Sequence, residues 1–320
     1  MYVDDLIISG PNVEDIKRFK SEMKEKFSMS DLGLLSYYLG IEVKQGSGEI
    51  ALSQSAYALK ILENAGMKNC SPCDTPMECR LKLSKKKEGE DVVNPTAYRS
   101  LIGSLRYIVN SRPDLAYAVG VVSRYMEALG REHWDAVKRI LRYLKGIVGY
   151  GCKYRKGGEE QAFLLGYSDS DYAGDVEDRK STTGVVYFLG RSLVTWSSQK
   201  QKIVALSSCE AENVAAAAAC QGIWLSRLIA DMVGTKEATV KRLMDNMSAI
   251  ALSKNPVHHE RSKHIDTKYH FLRECIEGGV VEVDHVGTAG QLADIFTKSL
   301  GRVRFIELWS ALGVVDVHQV

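Results

Sequence analysis

The sequence lacks a long apolar run, an excess of charge of either sign and an even number of cysteines. Its 320 residues carry 42 Lys and Arg against 40 Asp and Glu, so the formal net charge is only +2. No apolar run could span a bilayer and no charged-then-apolar leader opens the chain, so we expect no membrane partner. The nearly neutral charge does not exclude a nucleic-acid partner, because an acidic metal site can cancel the charge of a basic face that binds nucleic acid.

The seven cysteines have scattered spacing, which is typical of reduced thiols in an intracellular protein. Cys70 and Cys73 form a CxxC pattern, and Cys79 follows nearby. A zinc site would need a fourth ligand close by, and none follows. We therefore favour structural thiols, with zinc binding as the alternative.

The first half of the chain combines amphipathic helices with short strands. Apolar spacing predicts helices from Asn12 to Phe27 and from Ser53 to Gly66, with the strand-like SYYLGIEV between them. The polar stretch from Cys70 to about Asn94 has two prolines and the run KKKEGED, which is typical of a linker. Three helical segments follow between Tyr98 and Gly146, and Pro113 opens the second of them.

Basic and aromatic side chains alternate along these three helical segments. The pattern is compatible with a face that contacts a nucleic-acid backbone, although the pattern alone does not require one. The residues concerned are Arg124, Lys138, Arg139, Arg142 and Lys145, interleaved with Tyr107, Tyr125, Trp134 and Tyr143.

The pattern changes from about Gln161 onwards. Three strand-like runs (AFLLGYSD, GVVYFLG and SLVTWSS) precede a long helix predicted from about Ser208 to Met232. A strand, two helices, another strand and a final helix through QLADIFTKSL complete the order βββ-α-β-α-α-β-α. This order predicts an α/β domain with a mixed sheet and helices on its faces.

Four carboxylates fall where the strand ends and helix starts of this domain should converge. Asp169 ends the first strand, Glu212 lies in the first turns of the long helix, Asp245 ends the fourth strand and Asp294 opens the final helix. Any one of them could be a helix cap or a surface charge, but four gathered acids would repel one another without a cation. Oxygen ligands favour Mg²⁺ or Mn²⁺, and two ions about 3.5–4 Å apart could clamp the oxygens of a phosphodiester displacement.

The segment from Gly166 to Leu300 closely resembles the ribonuclease H domain of copia-type retrotransposons. The resemblance implies the ribonuclease H-like fold and the ligands Asp169, Glu212, Asp245 and Asp294, with two Mg²⁺ as cofactor and Mn²⁺ as a substitute. Asp171 and Asp175 are second choices for the first ligand, and Glu212 fits the family pattern better than Glu210. The resemblance to the ribonuclease H domain rests on four segments: YSDSDYAGDVEDRKSTTG, VTWSSQKQKIVALSSCEAEN, DNMSAIALSKNPVHHERSKHIDTKYHFLRE and QLADIFTKSL.

Two histidines bear on this resemblance. Many ribonucleases H have a mobile histidine about ten residues before the last aspartate, where it helps to release product, and His285 lies at about that distance from Asp294. His264, in RSKHID, matches a motif position of the family whose catalytic role does not follow from the residues. A packing histidine at a helix start is the favoured interpretation of His264.

The chain before this domain resembles the reverse transcriptase of the same polyprotein. In YVDD, Asp4 and Asp5 look like the aspartates of the polymerase hairpin, and LGLLSYYLGIEV resembles the primer-gripping segment. Such polymerases need a third aspartate and fingers from earlier in the chain, so we expect a truncated, inactive reverse transcriptase. We expect a truncated palm at 1–47, a thumb-like segment and linker at 48–94, a helical connection at 95–158 and the ribonuclease H domain at 160–312.

The resemblance implies an enzyme that cuts the RNA strand of RNA–DNA hybrids. The expected partners are the hybrid and the remainder of the Pol polyprotein, inside the cell, in cytoplasmic retrotransposon particles and the nucleus. Asn213 and Ser299 depart from the family pattern, which has an aromatic residue and a proline there. The alternative is a catalytically silent relic that folds and binds nucleic acid; an integrase-like nuclease is disfavoured by its different acidic spacing.

Overall fold

We describe a computed structural model of the chain, which covers residues 5–85, 94–157, 163–216, 219–254 and 266–319. Asp4 and His264, both singled out above, lie outside these ranges. Among the described residues, no helix is both long enough and apolar enough to cross a membrane.

The first helix, α1 (Val13–Lys26), lies on the surface, and none of its residues is buried. Its start follows from the sequence, because the Asn12 side chain accepts a hydrogen bond from the Glu14 N–H at 2.9 Å. The predicted helix is confirmed, but its apolar side faces solvent, with Phe19 45% exposed. This helix therefore contributes nothing to the core.

An antiparallel sheet joins strands from distant parts of the chain. It consists of β1 (Tyr37–Tyr38), β2 (Ile41–Gly46), β3 (Glu49–Ser53), β4 (Tyr150–Arg155) and β10 (Val314–Asp316), in the order β1-β2-β3-β4-β10. The predicted domain boundary at 47/48 falls between the paired strands β2 and β3. The predicted boundary at 158/160 follows β4, which belongs to the same sheet. The domain division stays a prediction, and β4 and β10 are strands that the sequence pattern did not indicate.

A helical layer packs against this sheet. It contains α2 (Ser55–Asn64), α3 (Pro95–Ile108), α4 (Ala116–Val122) and α5 (Arg131–Gly146). The predicted helices are confirmed, although α4 is short and is flanked by two 3₁₀ helices, Pro113–Leu115 and Ser123–Tyr125. The apolar positions that predicted these helices form the core, and the best buried include Leu62, Ile102, Leu105, Ile140 and Leu144.

The second sheet is mixed. It consists of β5 (Leu164–Ser170), β6 (Thr182–Leu189), β7 (Ser192–Lys200), β8 (Val240–Met244) and β9 (Val281–His285), in the order β7-β6-β5-β8-β9. Strands β5, β6 and β7 form an antiparallel meander, whereas β8 runs parallel to β5 and β9 runs parallel to β8. Three meander strands followed by two parallel strands give the ribonuclease H-like fold that the sequence predicted.

Five helices complete this part of the described chain. They are α6 (Ser208–Ala216), α7 (Ala219–Val233), α8 (Met247–Lys254), α9 (Asp266–Glu277) and α10 (Arg302–Ala311). The predicted final helix through QLADIFTKSL is wrong: a 3₁₀ helix, Leu292–Phe296, occupies that segment, and α10 begins only after Gly301. The tighter turn is favoured locally, because Gln291 accepts a hydrogen bond from the Ala293 N–H and the Thr297 N–H bonds to the Asp294 carbonyl.

The helical layer and the mixed sheet share one apolar core. Val186, Phe188 and Leu193, on one face of the mixed sheet, belong to the same buried cluster as the residues of α3, α4 and α5. The indole N–H of Trp196 in β7 donates to the Val109 carbonyl at 3.1 Å. The opposite face, including Tyr187, packs against α7, α8 and α9 in a second cluster. Both faces of the mixed sheet are thus covered, which leaves its strand ends as the place for a site.

Candidate active site

Three aspartates meet at one end of the mixed sheet. Asp169 comes from β5, Asp245 follows β8 directly, and Asp294 lies in the 3₁₀ helix. Their carboxylate oxygens lie within 4.8 Å of one another, and no other group of three or more potential ligands does so in the part of the chain that the structure describes. Because β5 and β8 are adjacent parallel strands, their carboxyl ends necessarily bring Asp169 and Asp245 together.

Glu212 adjoins the three aspartates from α6. One of its carboxylate oxygens, Oε1, accepts a hydrogen bond from the Ser170 N–H at 2.9 Å, next to Asp169. The other, Oε2, is buried and has no hydrogen-bond partner among the described residues. Burial, and then the negative charge of Asp169, raise the pKa of Glu212 to about 9. We refer to Glu212 and the three aspartates as the acidic cluster.

Repulsion within the acidic cluster opposes ionisation. Burial and the nearby Asp169 raise the pKa of Asp245. Burial also raises the pKa of Asp294, although a hydrogen bond from Lys298 acts against it. Carboxyl groups that share a poorly solvated site in this way ionise together only when a cation neutralises them.

The donor set fits a hard divalent metal ion. All four side chains offer carboxylate oxygens, which Mg²⁺ and Mn²⁺ prefer, and there is no thiolate or imidazole among them. The orphaned Oε2 of Glu212 is the kind of buried acceptor that a bound cation would satisfy. The arrangement therefore favours a divalent cation with oxygen ligands.

Two uncharged side chains hold the acidic cluster in place. Thr297 donates its hydroxyl to Asp169 Oδ2, and Gln291 donates its amide to the Ser168 carbonyl at 2.9 Å. Gln291 also hydrogen-bonds to the Asp245 carboxylate. Neither residue was predicted from the sequence, although both flank Asp294 in the same motif. Such neighbours orient the carboxylates and limit their freedom without binding an ion.

Lys298 is a further residue that the sequence analysis missed. Its ammonium Nζ lies 2.7 Å from Asp294 Oδ1 and 3.4 Å from Asp169 Oδ2. The sequence feature that could have identified it is its position four residues after Asp294, because residues four apart can meet on one side of a helical turn. A positive charge therefore stands inside the acidic cluster.

The acids that the sequence analysis passed over lie elsewhere. Asp171 accepts a hydrogen bond from the Thr182 N–H, and burial raises its pKa to about 6. Asp175 forms ion pairs with Arg124 and Lys200. Glu210 accepts from the Leu206 N–H at 2.8 Å, just before α6. None of them belongs to the group of three converging aspartates.

The remaining predicted site residues lie away from any described cluster. His285 is exposed at the end of β9, where it pairs with Met244, the residue before Asp245. Its role in product release stays a prediction. Asp5, the described member of the polymerase pair, is exposed.

Four of the five basic side chains considered for nucleic-acid contact have protein partners. Arg124 pairs with Asp175, Arg139 with Glu78 and Lys138 with Asp135, and Arg142 donates to the Ser71 carbonyl. The contacts of Arg139 and Arg142 join the polar stretch after Cys70 to α5, and contact of this face with nucleic acid stays a prediction. Tyr125 and Tyr143, two of the interleaved aromatics, are buried in the core.

The cysteines of the CxxC pattern form no ligand group with other described residues. The Cys73 thiol is half-buried and contacts the carbonyls of Thr75 and Arg139. Burial raises the pKa of this thiol, which disfavours the thiolate that zinc requires.

The fold and the acidic cluster define an α/β protein of the ribonuclease H-like class. A family model described as reverse transcriptase (RNA-dependent DNA polymerase) matches residues 1–79. The retrovirus-related Pol polyprotein from transposon TNT 1-94 of Nicotiana tabacum is 40% identical over 314 residues, which is 95% of this chain and 23% of that protein. A transposon Ty5-1 protein of Saccharomyces cerevisiae is 33% identical over 219 residues, which is 68% of this chain and 70% of that protein.

This chain belongs to the retrovirus-related Pol polyproteins of copia-type transposons. It spans about a quarter of the length of the curated polyproteins that it matches. Among solved structures, LC11-RNase H1, isolated from compost, aligns with 43% of this chain and 94% of its own, at 17% identity and a TM-score of 0.33. The fold assignment rests on the strand order and not on that likeness.

Proposed function

We propose that this chain is a ribonuclease H that cuts the RNA strand of RNA–DNA hybrids and depends on two divalent ions, Mg²⁺ or Mn²⁺. The observation that carries the proposal is the convergence of Asp169, Asp245 and Asp294, with their oxygens within 4.8 Å, in a copia-type Pol chain. Three buried acids beside the half-buried Asp245 are costly for stability, so their gathering supports a functional site.

Each element of the acidic cluster has a distinct task in this proposal. Asp169 and Asp245, on rigid strand ends, anchor the ions, while Glu212 and Asp294 complete the set from α6 and the 3₁₀ helix. When bound, the ions supply an activated water and neutralise the charge of the leaving oxygen. Thr297 holds Asp169 in position, and Gln291 holds Asp245.

The proposed substrate is a hybrid because the reaction needs a 2′-hydroxyl strand held in a duplex of fixed groove shape. Single-stranded RNA lacks that shape and should be spared. The proposed partners are the hybrid and the remainder of the Pol polyprotein. The proposal assigns no activity to residues 1–79, which match the reverse transcriptase family model.

The test uses the purified full chain and an end-labelled RNA strand, either annealed to DNA or alone. We expect cutting of the annealed RNA with Mg²⁺ or Mn²⁺ and none in EDTA, with 3′-hydroxyl and 5′-phosphate ends. The Asp169→Asn variant controls for contaminating nuclease. Equal cutting of single-stranded RNA, or cutting that survives in the variant, would contradict the proposal. Binding of hybrid without any cutting would support a silent relic, the alternative that Asn213 and Ser299 keep open.

A further inference from the structure

Lys298 differs from the other cations near the acidic cluster. Arg242 is fully buried and donates to Ser168 Oγ and to the Ala215 carbonyl. Arg304 lies 3.7 Å from Asp294 Oδ2, but its guanidinium donates to the carbonyls of Thr288 and Ala289. These two arginines are thus committed to other protein groups.

The ammonium of Lys298 has only carboxylates as its described ion-pair partners, at 2.7 Å in Asp294 and 3.4 Å in Asp169. Both of those carboxylates contribute oxygens to the group that converges within 4.8 Å. An ammonium at these distances occupies acceptor sites on both carboxylates and places a positive charge beside the point where their oxygens converge. Because like charges repel, the lysine opposes binding of a divalent ion at this point.

Lys298 can also leave the cluster. Its side chain is 42% exposed, whereas the side chains of Asp169 and Asp294 are at most 6% exposed. A lysine stem is flexible, and its ammonium is strongly hydrated when it reaches water. Release into solvent is therefore open to Lys298 and closed to the two acids that it pairs with.

We propose that Lys298 is the resident counter-cation of the acidic cluster, which it neutralises in the metal-free protein and vacates when a divalent ion binds. The inference rests on the proposed function, because it requires the cluster to be a divalent-metal site. It assigns to Lys298 two opposite effects: stabilisation of the metal-free fold and competition against the ion. The lysine thereby sets the ion concentration at which the site fills.

The experiment compares the full chain with Lys298→Gln and with a matched control, Lys200→Gln. Lys200 also bridges two carboxylates, at 2.7 Å in Asp175 and 2.8 Å in Asp178, and its side chain is 26% exposed, but it lies outside the acidic cluster. Two quantities are measured: Mn²⁺ affinity by electron paramagnetic resonance titration of free Mn²⁺, and the melting temperature in EDTA and in saturating Mn²⁺.

For Lys298→Gln we expect Mn²⁺ to bind at least about fivefold more tightly than in the unaltered chain. Its melting temperature should be lower by about 3 °C in EDTA, and this deficit should vanish in saturating Mn²⁺ because the lysine is then already displaced. For Lys200→Gln we expect unchanged Mn²⁺ affinity and a deficit of the same size in both conditions.

Unchanged or weaker Mn²⁺ binding by Lys298→Gln would overturn the proposal, as would a melting deficit that persists in saturating Mn²⁺. The second outcome would make Lys298 an ordinary structural ion pair. Failure of the proposed metal site is recognised separately. The unaltered chain would then bind no Mn²⁺, and the Asp169→Asn variant would give the same Mn²⁺ titration as the unaltered chain. If Mn²⁺ binds but hybrid is not cut, the counter-cation proposal still stands or falls on the affinity comparison alone.

Discussion

Two buried polar clusters in this molecule have opposite charge balance. In the helical layer, the guanidinium of Arg112 donates to both oxygens of Asp114 at 3.0 and 2.6 Å and to the Ile147 carbonyl at 3.0 Å. The hydroxyl of Tyr143 completes the set by donating to Asp114 at 2.7 Å. We call these residues the arginine cluster. Its one positive charge on Arg112 and one negative charge on Asp114 cancel, and the donors of Arg112 and Tyr143 are hydrogen-bonded to Asp114 and the Ile147 carbonyl.

The acidic cluster is also largely buried, but its four carboxylates have as close described counter-charges only the half-exposed ammonium of Lys298 and, more distantly, the guanidinium of Arg304. A balanced cluster is stable without help, whereas an unbalanced one needs an external cation. Under the proposed function, the arginine cluster serves the fold and the acidic cluster serves catalysis. Substitutions should therefore affect stability in one place and activity in the other.

The largest effect should come from Asp169→Asn. It removes one ionic ligand at a rigid strand end but keeps the size and much of the hydrogen bonding of the side chain. We expect hybrid cleavage to fall by at least about a thousandfold, equivalent to roughly 4 kcal/mol of barrier. The melting temperature in EDTA should not fall, because repulsion among the acids is relieved. Single-turnover cleavage and thermal unfolding measure the two effects.

The control for that variant is Asp171→Asn, two residues further along the chain. Asp171 hydrogen-bonds to the Thr182 N–H and lies outside the converging group, so most of the cleavage activity should remain. If Asp171→Asn abolishes cleavage while Asp169→Asn does not, the assignment of the first ligand is wrong by two residues.

The second largest effect should come from Asp114→Asn in the arginine cluster. It leaves the Arg112 guanidinium buried without its counter-charge, which typically costs about 3–5 kcal/mol. We expect a loss of that size in the free energy of unfolding, measured with denaturant, and no recovery when Mn²⁺ is added. A loss below about 1 kcal/mol would mean that the cluster is not a principal contributor to the fold.

A smaller, pH-dependent effect is expected at Asp175. Burial opposes ionisation of this carboxyl, but the hydrogen bond from Lys200 and the bonds from two backbone N–H groups outweigh it and lower its pKa from 3.8 to about 2. Because the folded-state pKa is the lower one, the stabilisation is complete above about pH 4 and is lost as the pH falls towards 2.

Asp175→Asn should therefore cost about 2 kcal/mol of unfolding free energy at pH 7. The difference from the unaltered chain should shrink between pH 4 and pH 2, where the native carboxyl takes up its proton. Urea unfolding at several pH values measures this. A difference that stays constant with pH would show that the carboxylate charge contributes nothing.

The smallest effect should come from Glu210→Gln, the glutamate that lies two residues before Glu212. Its carboxylate accepts the Leu206 N–H, and a glutamine oxygen can still do so. We expect cleavage within about twofold and a stability change below about 1 kcal/mol. A thousandfold loss would transfer the role of Glu212 to Glu210 and contradict the position of α6.

Much of the fold could be predicted because its signals are local. The meander β5-β6-β7 and the helices α1 and α5 follow from apolar periodicity within a few residues. The features that were not predicted depend on distant residues. Strands β4 and β10 pair with each other, with Val314 opposite Cys152, more than 150 residues away along the chain. The 3₁₀ helix at Asp294 has local hydrogen bonds, and Gln291 and Thr297 also tie it to Ser168 and Asp169 in β5.

The sequence by itself determined the membership of the family and the order of the strands, and it predicted the four acids, because motif spacing and hydrophobic period are properties of the chain. Only the tertiary structure decided which neighbours those acids have. The ammonium of Lys298 entered the cluster, while Arg124, Arg139 and Arg142 turned to protein partners. A side chain's charge is written in the sequence, but its electrostatic effect depends on burial and distance, and both arise only when remote segments pack together.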